Sequence, residues 1–299
     1  MWKGKSRPLK ERNKIDFFIF ASPWLLGLVL FTMGPLFTSL ILGFCEWDIL
    51  SSPKFIGIRN YKKLFNDPIF WKSLSNTAFY AGIQVPLGIL LSLFLAVLLN
   101  QKLRGITFYR TLYFLPSITP VVAIALFWQW IFEPQFGILN KLLRGLGEKY
   151  PPHWLFDTFW VKPAFIIMGL WGAGTGMLIF LAALQGVPQE LYEAADLDGV
   201  NWWEKHWYIT IPSISPAIFF NLVMGVIGAF QIFTQAYVMT RGGPAFASLF
   251  YVLYLYQNAF EHLEMGYASA QAWILFAIIF SLTFLQQKIS RRWVYYEYE

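Results

Sequence analysis

Long runs of apolar residues are the feature that most limits how this chain can fold. Several windows of about 20 residues carry almost no charge, and that length allows a helix to cross about 30 Å of hydrocarbon. Charged residues make up only 13% of the 299 residues, whereas soluble domains carry about 25%. The sequence therefore predicts an all-α polytopic membrane protein.

The apolar runs predict six transmembrane helices. We place them at Phe17–Phe44, Ala78–Leu99, Thr111–Phe132, Pro163–Leu184, Ile214–Val238 and Ala268–Leu285. Six basic residues precede the first run, namely Lys3, Lys5, Arg7, Lys10, Arg12 and Lys14. Because Lys and Arg near span ends favour the cytoplasmic side, we expect a cytoplasmic N-terminus. An even number of spans then returns the C-terminus to the same side.

A shorter aromatic run, 247–260, follows the fifth predicted span. It is too short to cross a bilayer, so it predicts an interfacial or re-entrant helix. The net charge of +6 is scattered over segment ends, and we expect no nucleic-acid partner. The single cysteine, Cys45, excludes an intrachain disulfide.

An acidic stretch separates the fourth and fifth predicted spans and is cytoplasmic in this topology. Pro188 suits the first position of a helix, and Gly199 suits the stop after its last turn. Asn201 and Glu204 are typical of a capping box that opens a second helix. By their spacing, one face of the first helix carries Leu191, Ala194, Ala195 and Asp198. These residues alone fit either a solvated loop or a docking helix.

The stretch EAADLDG, followed by ITIPSISP, resembles the EAA loop of type I ABC importer permeases. The matching residues are Glu193, Ala194 and Ala195 for the triplet, Gly199 for the glycine, and Ile209 and Pro212 for the tail. The segments FIGIRNYKKLFNDPIFWKSLSNT, RGGPAFAS and MGYASAQAWILF are similar to the carbohydrate branch of that family. The resemblance covers nearly the whole chain after about Phe17. It implies the type I ABC importer permease fold.

The resemblance also implies how the chain is divided and where it resides. The expected segments are a cytoplasmic basic N-terminal segment at 1–16, the first transmembrane helix with its outer loop at 17–70, an ABC transmembrane type-1 permease domain at 71–287 with the coupling loop 188–212, and a cytoplasmic C-terminal tail at 288–299. We expect a multi-pass protein of the bacterial cytoplasmic (inner) membrane with both termini in the cytoplasm.

In the family that the chain resembles, the EAA loop forms a coupling helix that sits in a cleft of a cytoplasmic ATPase subunit. The resemblance assigns ATPase docking to Glu193, Ala194, Ala195, Asp198 and Gly199. The implied partners are a second homologous permease subunit, two ATP-binding cassette subunits, an extracytoplasmic solute-binding protein, a sugar substrate and the lipid bilayer.

The chain shows no sequence signature of a nucleotide, metal or catalytic site. GKS at 4–6 imitates the end of a phosphate-binding loop, but the upstream glycine would fall before Met1. The three histidines are isolated and lack metal-ligand spacing, and no nucleophile with a base and an orienting group is visible. We expect no bound cofactor and no enzymatic activity. ATP and Mg²⁺ are expected to be used by the partner ATPase subunits.

The polar residues inside the predicted spans are uncharged. They are Gln84, Gln129, Thr175, Asn221, Gln231, Thr234, Gln235 and Gln271. An ion-coupled transporter would more often embed an ionisable residue, so this set favours a neutral substrate. Amide side chains both donate and accept hydrogen bonds, which suits sugar hydroxyls.

By resemblance, the spans on either side of the EAA loop line the sugar path. The residues so assigned are Trp171, Gly172, Thr175, Gly225, Gly228, Gln231 and Gln235. Gln231 and Gln235 lie four residues apart and are predicted to share one helical face with Gly228. The glycines also suit close helix packing, and that alternative stays open.

The expected function is that of a permease subunit of an ATP-driven, binding-protein-dependent importer that translocates a sugar or oligosaccharide across the cytoplasmic membrane. A permease of the same type for glycerol phosphate or another polyol derivative is an alternative, although a phosphorylated substrate should require a basic residue along the path. A membrane enzyme or assembly factor is a second alternative, disfavoured by the lack of a catalytic constellation.

Overall fold

A computed structural model describes residues 9–101 and 104–295 of the chain, with side chains described from Asp16 onward. Part of the predicted basic N-terminal cluster (Lys3, Lys5 and Arg7) and the GKS stretch lie outside the described residues. The side chains of Lys10, Arg12 and Lys14 lie outside them as well.

Helices account for the membrane spans. Four are long and apolar enough to cross a bilayer within the described ranges, namely Asp16–Leu42, Pro68–Leu99, Ser215–Met239 and Met265–Ser290. Two bent helix pairs also pass that test, Ile106–Ile118 with Val121–Ile131 and Val161–Trp171 with Gly174–Gly186. Each pair counted as one span gives six, which confirms the predicted six-span, all-α architecture.

The chain forms two compact units. The first contains the described residues up to Leu64 together with Asn258–Trp273, and the second contains Phe65–Gln257 and the described residues from Ile274 onward.

The first unit begins with the first span and continues into a small β-hairpin. The elements of this N-terminal part are α1 (Leu9–Gly27), a π-helical stretch (Leu28–Met33), α2 (Gly34–Leu42), β1 (Cys45–Glu46), β2 (Lys54–Phe55) and α3 (Arg59–Phe65), whose last residue falls in the second unit. The strands are antiparallel, with Cys45 opposite Phe55. The buried Asn60 donates from Nδ2 to the carbonyl oxygens of Gly43 (3.1 Å) and Cys45 (2.8 Å). These bonds fix α3 against the end of the first span.

The second span, α4 (Pro68–Leu99), is 32 residues long and begins ten residues before the predicted Ala78. Asp67 caps it, because its Oδ1 accepts a hydrogen bond from the Ile69 amide at 2.8 Å. Pro68 occupies the first helical position, where a missing N–H costs nothing. The local capping signal therefore extends the helix beyond the apolar run that predicted it.

The third predicted span, Thr111–Phe132, is not one helix. It consists of α5 (Ile106–Ile118) and α6 (Val121–Ile131), bent by 99°. Thr119 is extended with ψ 136°, as expected for a residue that precedes a proline, and Pro120 supplies no N–H to continue the helix. A short helix, α7 (Ile138–Gly145), follows.

The fourth span consists of α8 (Val161–Trp171) and α9 (Gly174–Gly186), bent by 44°, where Pro163–Leu184 was predicted as one helix. The bend lies at Gly172 and Ala173. A Cβ atom at Gly174 would overlap the carbonyl oxygen of Tyr113 in α5. The bend thus brings the start of α9 so close to α5 that only glycine fits.

The remaining elements run from the acidic loop to the last span. They are α10 (Gln189–Leu197), α11 (Trp202–Lys205), a π-helical stretch (His206–Thr210), α12 (Ile211–Ser213), α13 (Ser215–Phe230), α14 (Thr234–Met239), α15 (Tyr251–Tyr256), a second π-helical stretch (Gln257–Glu261) and α16 (Met265–Ser290). The fifth span, Ser215–Met239, therefore has a short non-helical interruption at residues 231–233.

The predicted short helix in 247–260 is present as α15 (Tyr251–Tyr256), and its side chains pack largely inside the protein. Tyr251, Leu253 and Tyr254 are all buried. Asn76 of α4 donates to the carbonyl oxygens of Phe246 (2.7 Å) and Leu249 (3.0 Å) just before this helix. The aromatic run therefore belongs to the protein core.

A hydrophobic core lies beside the acidic loop. It joins the second half of α4 to α9 and the start of α13 through Leu95, Leu99, Met177, Phe180, Leu184 and Ile214. Because α9 leads into the loop and α13 leads out of it, this packing holds both ends of the loop in fixed positions.

Candidate functional site

The loop 188–212 begins at Pro188, which is the N-cap of α10 and not its first helical residue as predicted. The helix ends in a Schellman motif. The Val200 amide donates to the Ala195 carbonyl at 3.0 Å, and the Gly199 amide donates to the Asp196 carbonyl at 3.2 Å. Gly199 has φ +72°, a left-handed conformation that favours glycine, so Gly199 is the helix stop that the sequence predicts.

The second helix of the loop opens with the predicted capping box. Asn201 Oδ1 accepts from the Glu204 amide at 3.0 Å, and Glu204 Oε2 accepts from the Asn201 amide at 2.9 Å. Two further contacts tie this segment to α10, namely an ion pair between Lys205 and Asp196 and a hydrogen bond between the hydroxyls of Tyr192 and Thr210 at 2.9 Å. The two helices of the loop therefore form one folded element.

The predicted docking residues do not all face outward. Glu193, Ala194, Asp198 and Gly199 are exposed, whereas Ala195 is only 7% exposed and packs inside the chain. Their spacing predicts that both alanines lie on one surface, but only Ala194 is open to another protein. Leu197 is 90% exposed and is absent from the predicted set. Leu197 lies four residues after Glu193, so the two side chains share one exposed face of α10.

Two cavities lie between α4, the bent pair α8–α9 and α13. The proximal cavity, nearer the acidic loop, has a volume of about 460 Å³, and the distal cavity has a volume of about 420 Å³. Polar groups lining the proximal cavity come from Gln84, Ser92, Thr175 and Asn221. Those lining the distal cavity come from Tyr80, Gln84, Gln231, Thr234 and Gln235. No charged side chain lines either cavity among the described residues.

Six of the seven predicted path residues line these cavities. Gly172 and Thr175 line the proximal cavity, Gly228, Gln231 and Gln235 line the distal one, and Gly225 lines both. Trp171 lines neither. Its ring stacks on Phe127 with centroids 5.6 Å apart and meets Trp128 edge-on at 5.9 Å. Trp171 therefore packs α8 against α6.

The prediction that Gln231 and Gln235 share one helical face is wrong, although both residues line the distal cavity. α13 ends at Phe230, Gln231 is its C-cap, and Gln235 lies in α14. The two amides do not share a continuous helical face. They meet because the chain breaks between the two helices and both sides of the break border the distal cavity.

The two glycines of α13 differ in their surroundings. A Cβ atom at Gly225 would lie 3.0 Å from Val85 Cγ1 of α4, whereas a Cβ atom at Gly228 would have no atom within 4 Å. Gly225 therefore allows close helix packing, which is the alternative that the sequence leaves open. Gly228 borders open space in the distal cavity.

Residues of α4 form a part of the lining that the predicted set lacks. Tyr80, Gln84, Gly88 and Ser92 follow one another at intervals of four and all line a cavity. Residues four apart lie on one helical face. This stripe of polar and small residues within an apolar run could therefore have predicted that α4 lines a cavity. The predicted set omits it because the resemblance pointed only to the spans that flank the loop.

These features define a multi-spanning helical membrane protein of the permease type, with a folded loop between its fourth and fifth spans and two cavities of uncharged lining beside it. The family described as binding-protein-dependent transport system inner membrane component matches residues 88–295. The chain belongs to this family. In the described part of the chain, no group of three or more His, Cys, Asp or Glu residues could hold a metal ion.

Curated relatives agree with this membership. A probable ABC transporter permease protein of Bacillus subtilis (strain 168), YesP, is 41% identical over 98% of this chain and 96% of its own length. The lactose transport system permease protein LacF of Rhizobium radiobacter is 34% identical over 95% of this chain and 96% of its own. A solved bacterial ABC transporter involved in the import of alginate has a TM-score of 0.83 at 22% identity, over 95% of this chain and 98% of its own. That likeness concerns the fold.

Proposed function

We propose that this chain is a permease subunit of an ATP-driven importer for a neutral sugar or oligosaccharide. The observation that carries the proposal is the pair of adjoining cavities lined by amides, hydroxyls and apolar groups. Such groups satisfy sugar hydroxyls by hydrogen bonds without attracting ions. The lactose permease among the relatives supports a carbohydrate substrate.

The loop 188–212 is the proposed coupling element. Its first helix is closed by the Schellman motif, tied to the second helix and held at both ends by the core around Ile214. A rigid loop can transmit motion of a bound ATPase subunit to α9 and α13, whose residues line the cavities. Docking is assigned to the exposed Glu193, Ala194, Asp198 and Gly199, with Leu197 added and Ala195 in a supporting role.

The proposed complex contains this chain, a second homologous permease, two ATP-binding cassette subunits and an extracytoplasmic solute-binding protein. ATP and Mg²⁺ would bind to the cassette subunits. The family description, which names binding-protein dependence and an inner membrane component, supports this arrangement. We propose that both termini and the loop 188–212 face the cytoplasm. A phosphorylated substrate is not favoured, because neither cavity has a basic side chain in its lining.

Reconstitution of the complex in proteoliposomes tests this function. We expect accumulation of lactose or of a neutral oligosaccharide that requires ATP on the cytoplasmic side and the binding protein on the other. Glycerol 3-phosphate serves as the control solute and should not accumulate. Uptake without ATP, uptake of glycerol 3-phosphate alone, or purification of the permease without any ATPase subunit would contradict the proposal.

A further inference from the structure

The two cavities meet at a junction formed by four residues. Gln84, Gly169, Met224 and Gly225 line both cavities. The cavities therefore adjoin at these residues, and a solute that moves directly from one cavity to the other passes beside them. Of the four residues, Gln84 alone has a side chain that can form hydrogen bonds.

The polar side chains at and next to the junction have no hydrogen-bond partner among the described residues. Gln84 is partly buried, and its amide forms no hydrogen bond with any described residue. Tyr80, one turn earlier on α4, is 5% exposed, and its hydroxyl has no hydrogen-bond partner in the described part of the chain either. Neither group is among the side-chain polar atoms that are both fully buried and unpaired, and both residues line a cavity. Both groups are therefore available to a ligand in the cavities.

Gly169 of α8 brings the two groups together. A Cβ atom there would lie 2.9 Å from Tyr80 Oη and 3.2 Å from Gln84 Nε2. Both polar groups therefore approach the same point beside Gly169, and the space exists because residue 169 has no side chain. The Tyr80 ring packs on Phe250 with centroids 5.4 Å apart, which limits movement of its hydroxyl.

We infer that Tyr80 and Gln84 form a sugar-hydroxyl subsite on α4 at the junction of the two cavities. The inference rests on the proposed sugar function and extends it to a span that the resemblance did not assign. A phenolic hydroxyl and an amide can each donate and accept, so one substrate hydroxyl can bond to both groups. The surrounding lining is uncharged, and the ligand chemistry is that of a neutral polyhydroxyl compound.

Uptake kinetics of the assembled importer in proteoliposomes test the subsite, with lactose and a panel of neutral oligosaccharides as probes. Tyr80→Phe and Gln84→Leu should each raise the sugar concentration that gives half-maximal uptake about tenfold. This change corresponds to about 1.4 kcal/mol. The maximal rate should change by less than about twofold, a split that a general packing defect would not produce. Gly169→Ala should also raise the half-saturating sugar concentration, because its methyl group displaces the side chains of Tyr80 and Gln84.

Two matched controls separate this role from packing. Gly82→Ala adds a methyl group to α4 at a position with no atom within 4 Å, and Gln129→Leu removes an amide from the exposed surface of α6. Both controls should keep the wild-type half-saturation. In a Cys45→Ser background, Gln84→Cys should react with a methanethiosulfonate reagent, and the transported sugar should slow that reaction.

The outcomes are distinct. If wild-type protein transports a sugar and Tyr80→Phe and Gln84→Leu keep its half-saturation, the subsite is refuted and the proposed function stands. If these variants assemble poorly, the reaction of Gln84→Cys with the methanethiosulfonate reagent is the deciding test. A reaction rate that the sugar does not change refutes the subsite. If the wild-type complex transports no neutral sugar in the panel, the proposed function fails and the subsite fails with it.

Discussion

The backbone amide of Val200 donates to the carbonyl oxygen of Ala195 at 3.0 Å, and this bond closes α10 across Gly199. The turn requires φ +72° at Gly199. A residue with a side chain in this conformation carries a strain of about 1–2 kcal/mol. The geometry of the whole loop therefore depends on a backbone conformation that only glycine adopts without cost.

Replacement of this glycine should uncouple transport. We expect Gly199→Asp to insert into the membrane normally, to retain less ATPase on purification and to lose most sugar uptake. The measurements are membrane yield, recovery of the ATPase subunit and uptake. Gly186→Ala is the matched control, since Gly186 has no atom within 4 Å of an added Cβ and no positive φ. A Gly199→Asp variant with a bound ATPase and normal uptake would show that the helix stop is dispensable.

The proposed orientation is testable with single cysteines. In a Cys45→Ser background, Leu146→Cys and Arg291→Cys introduce thiols at exposed positions, and Leu146 is 85% exposed. We expect a membrane-impermeant maleimide to label residue 146 in intact cells and residue 291 only after lysis. The reverse pattern, with residue 146 labelled only after lysis, would invert the topology.

The sequence predicted the structure of the loop 188–212 more accurately than the structure of the spans. The stop at Gly199 and the pair Asn201 and Glu204 are read from a few neighbouring residues, and the structure has both. Apolar runs indicate that a segment crosses the membrane but not how straight it is. Thr111–Phe132 was predicted as one helix although Pro120 lies within it, and the 99° bend follows from that proline and the extended Thr119.

The path could be predicted only in part, because a cavity is a property of packing. Gln231 and Gln235 line one cavity for a reason that periodicity does not give, since the helix breaks between them. Ala195 satisfies the spacing rule for a docking face and is nevertheless buried. Which of two neighbouring alanines is open depends on contacts with distant segments, and spacing alone does not contain that information.

Asn140 should be essential for the order of the segment between the third and fourth spans. It is 1% exposed, its Nδ2 donates to the carbonyl oxygens of Pro134 (3.1 Å) and Pro152 (3.0 Å), and its Oδ1 accepts from Trp154 Nε1 at 2.7 Å. In Asn140→Ala the Pro152 carbonyl oxygen and Trp154 Nε1 lose their bond, at a cost of about 1–3 kcal/mol each if water does not replace the amide. The Pro134 carbonyl oxygen keeps a hydrogen bond from Arg144 Nη2 at 2.8 Å.

We expect faster hydrogen exchange and faster proteolysis between residues 133 and 160 in Asn140→Ala. Lys141→Ala is the control, since it alters the exposed neighbour of Asn140 and no hydrogen bond of its side chain. Equal exchange in both variants would mean that water or a rearranged loop satisfies the groups that Asn140 bonds.

Gln231→Leu should impair transport more than assembly. Gln231 is exposed at the C-cap of α13 and borders the distal cavity beside Gly228, where an added Cβ would have no atom within 4 Å. If its amide bonds to the sugar, an apolar replacement leaves substrate hydroxyls unpaired, at a cost of about 1–3 kcal/mol. Sugar affinity should then fall by about 5- to 150-fold. An amide that merely joins helices contributes about 0.6 kcal/mol on average in membranes.

The deciding experiment compares Gln231→Leu with Gln129→Leu, which removes an amide from the exposed surface of α6 outside both cavities. Each variant is purified with its partners, and sugar uptake is measured beside subunit recovery and ATP hydrolysis. Reduced uptake with full recovery and continued hydrolysis in Gln231→Leu alone supports contact with the substrate. Normal uptake, or joint loss of uptake and subunits, would assign Gln231 to helix packing, because a packing amide affects transport only through the amount of intact complex.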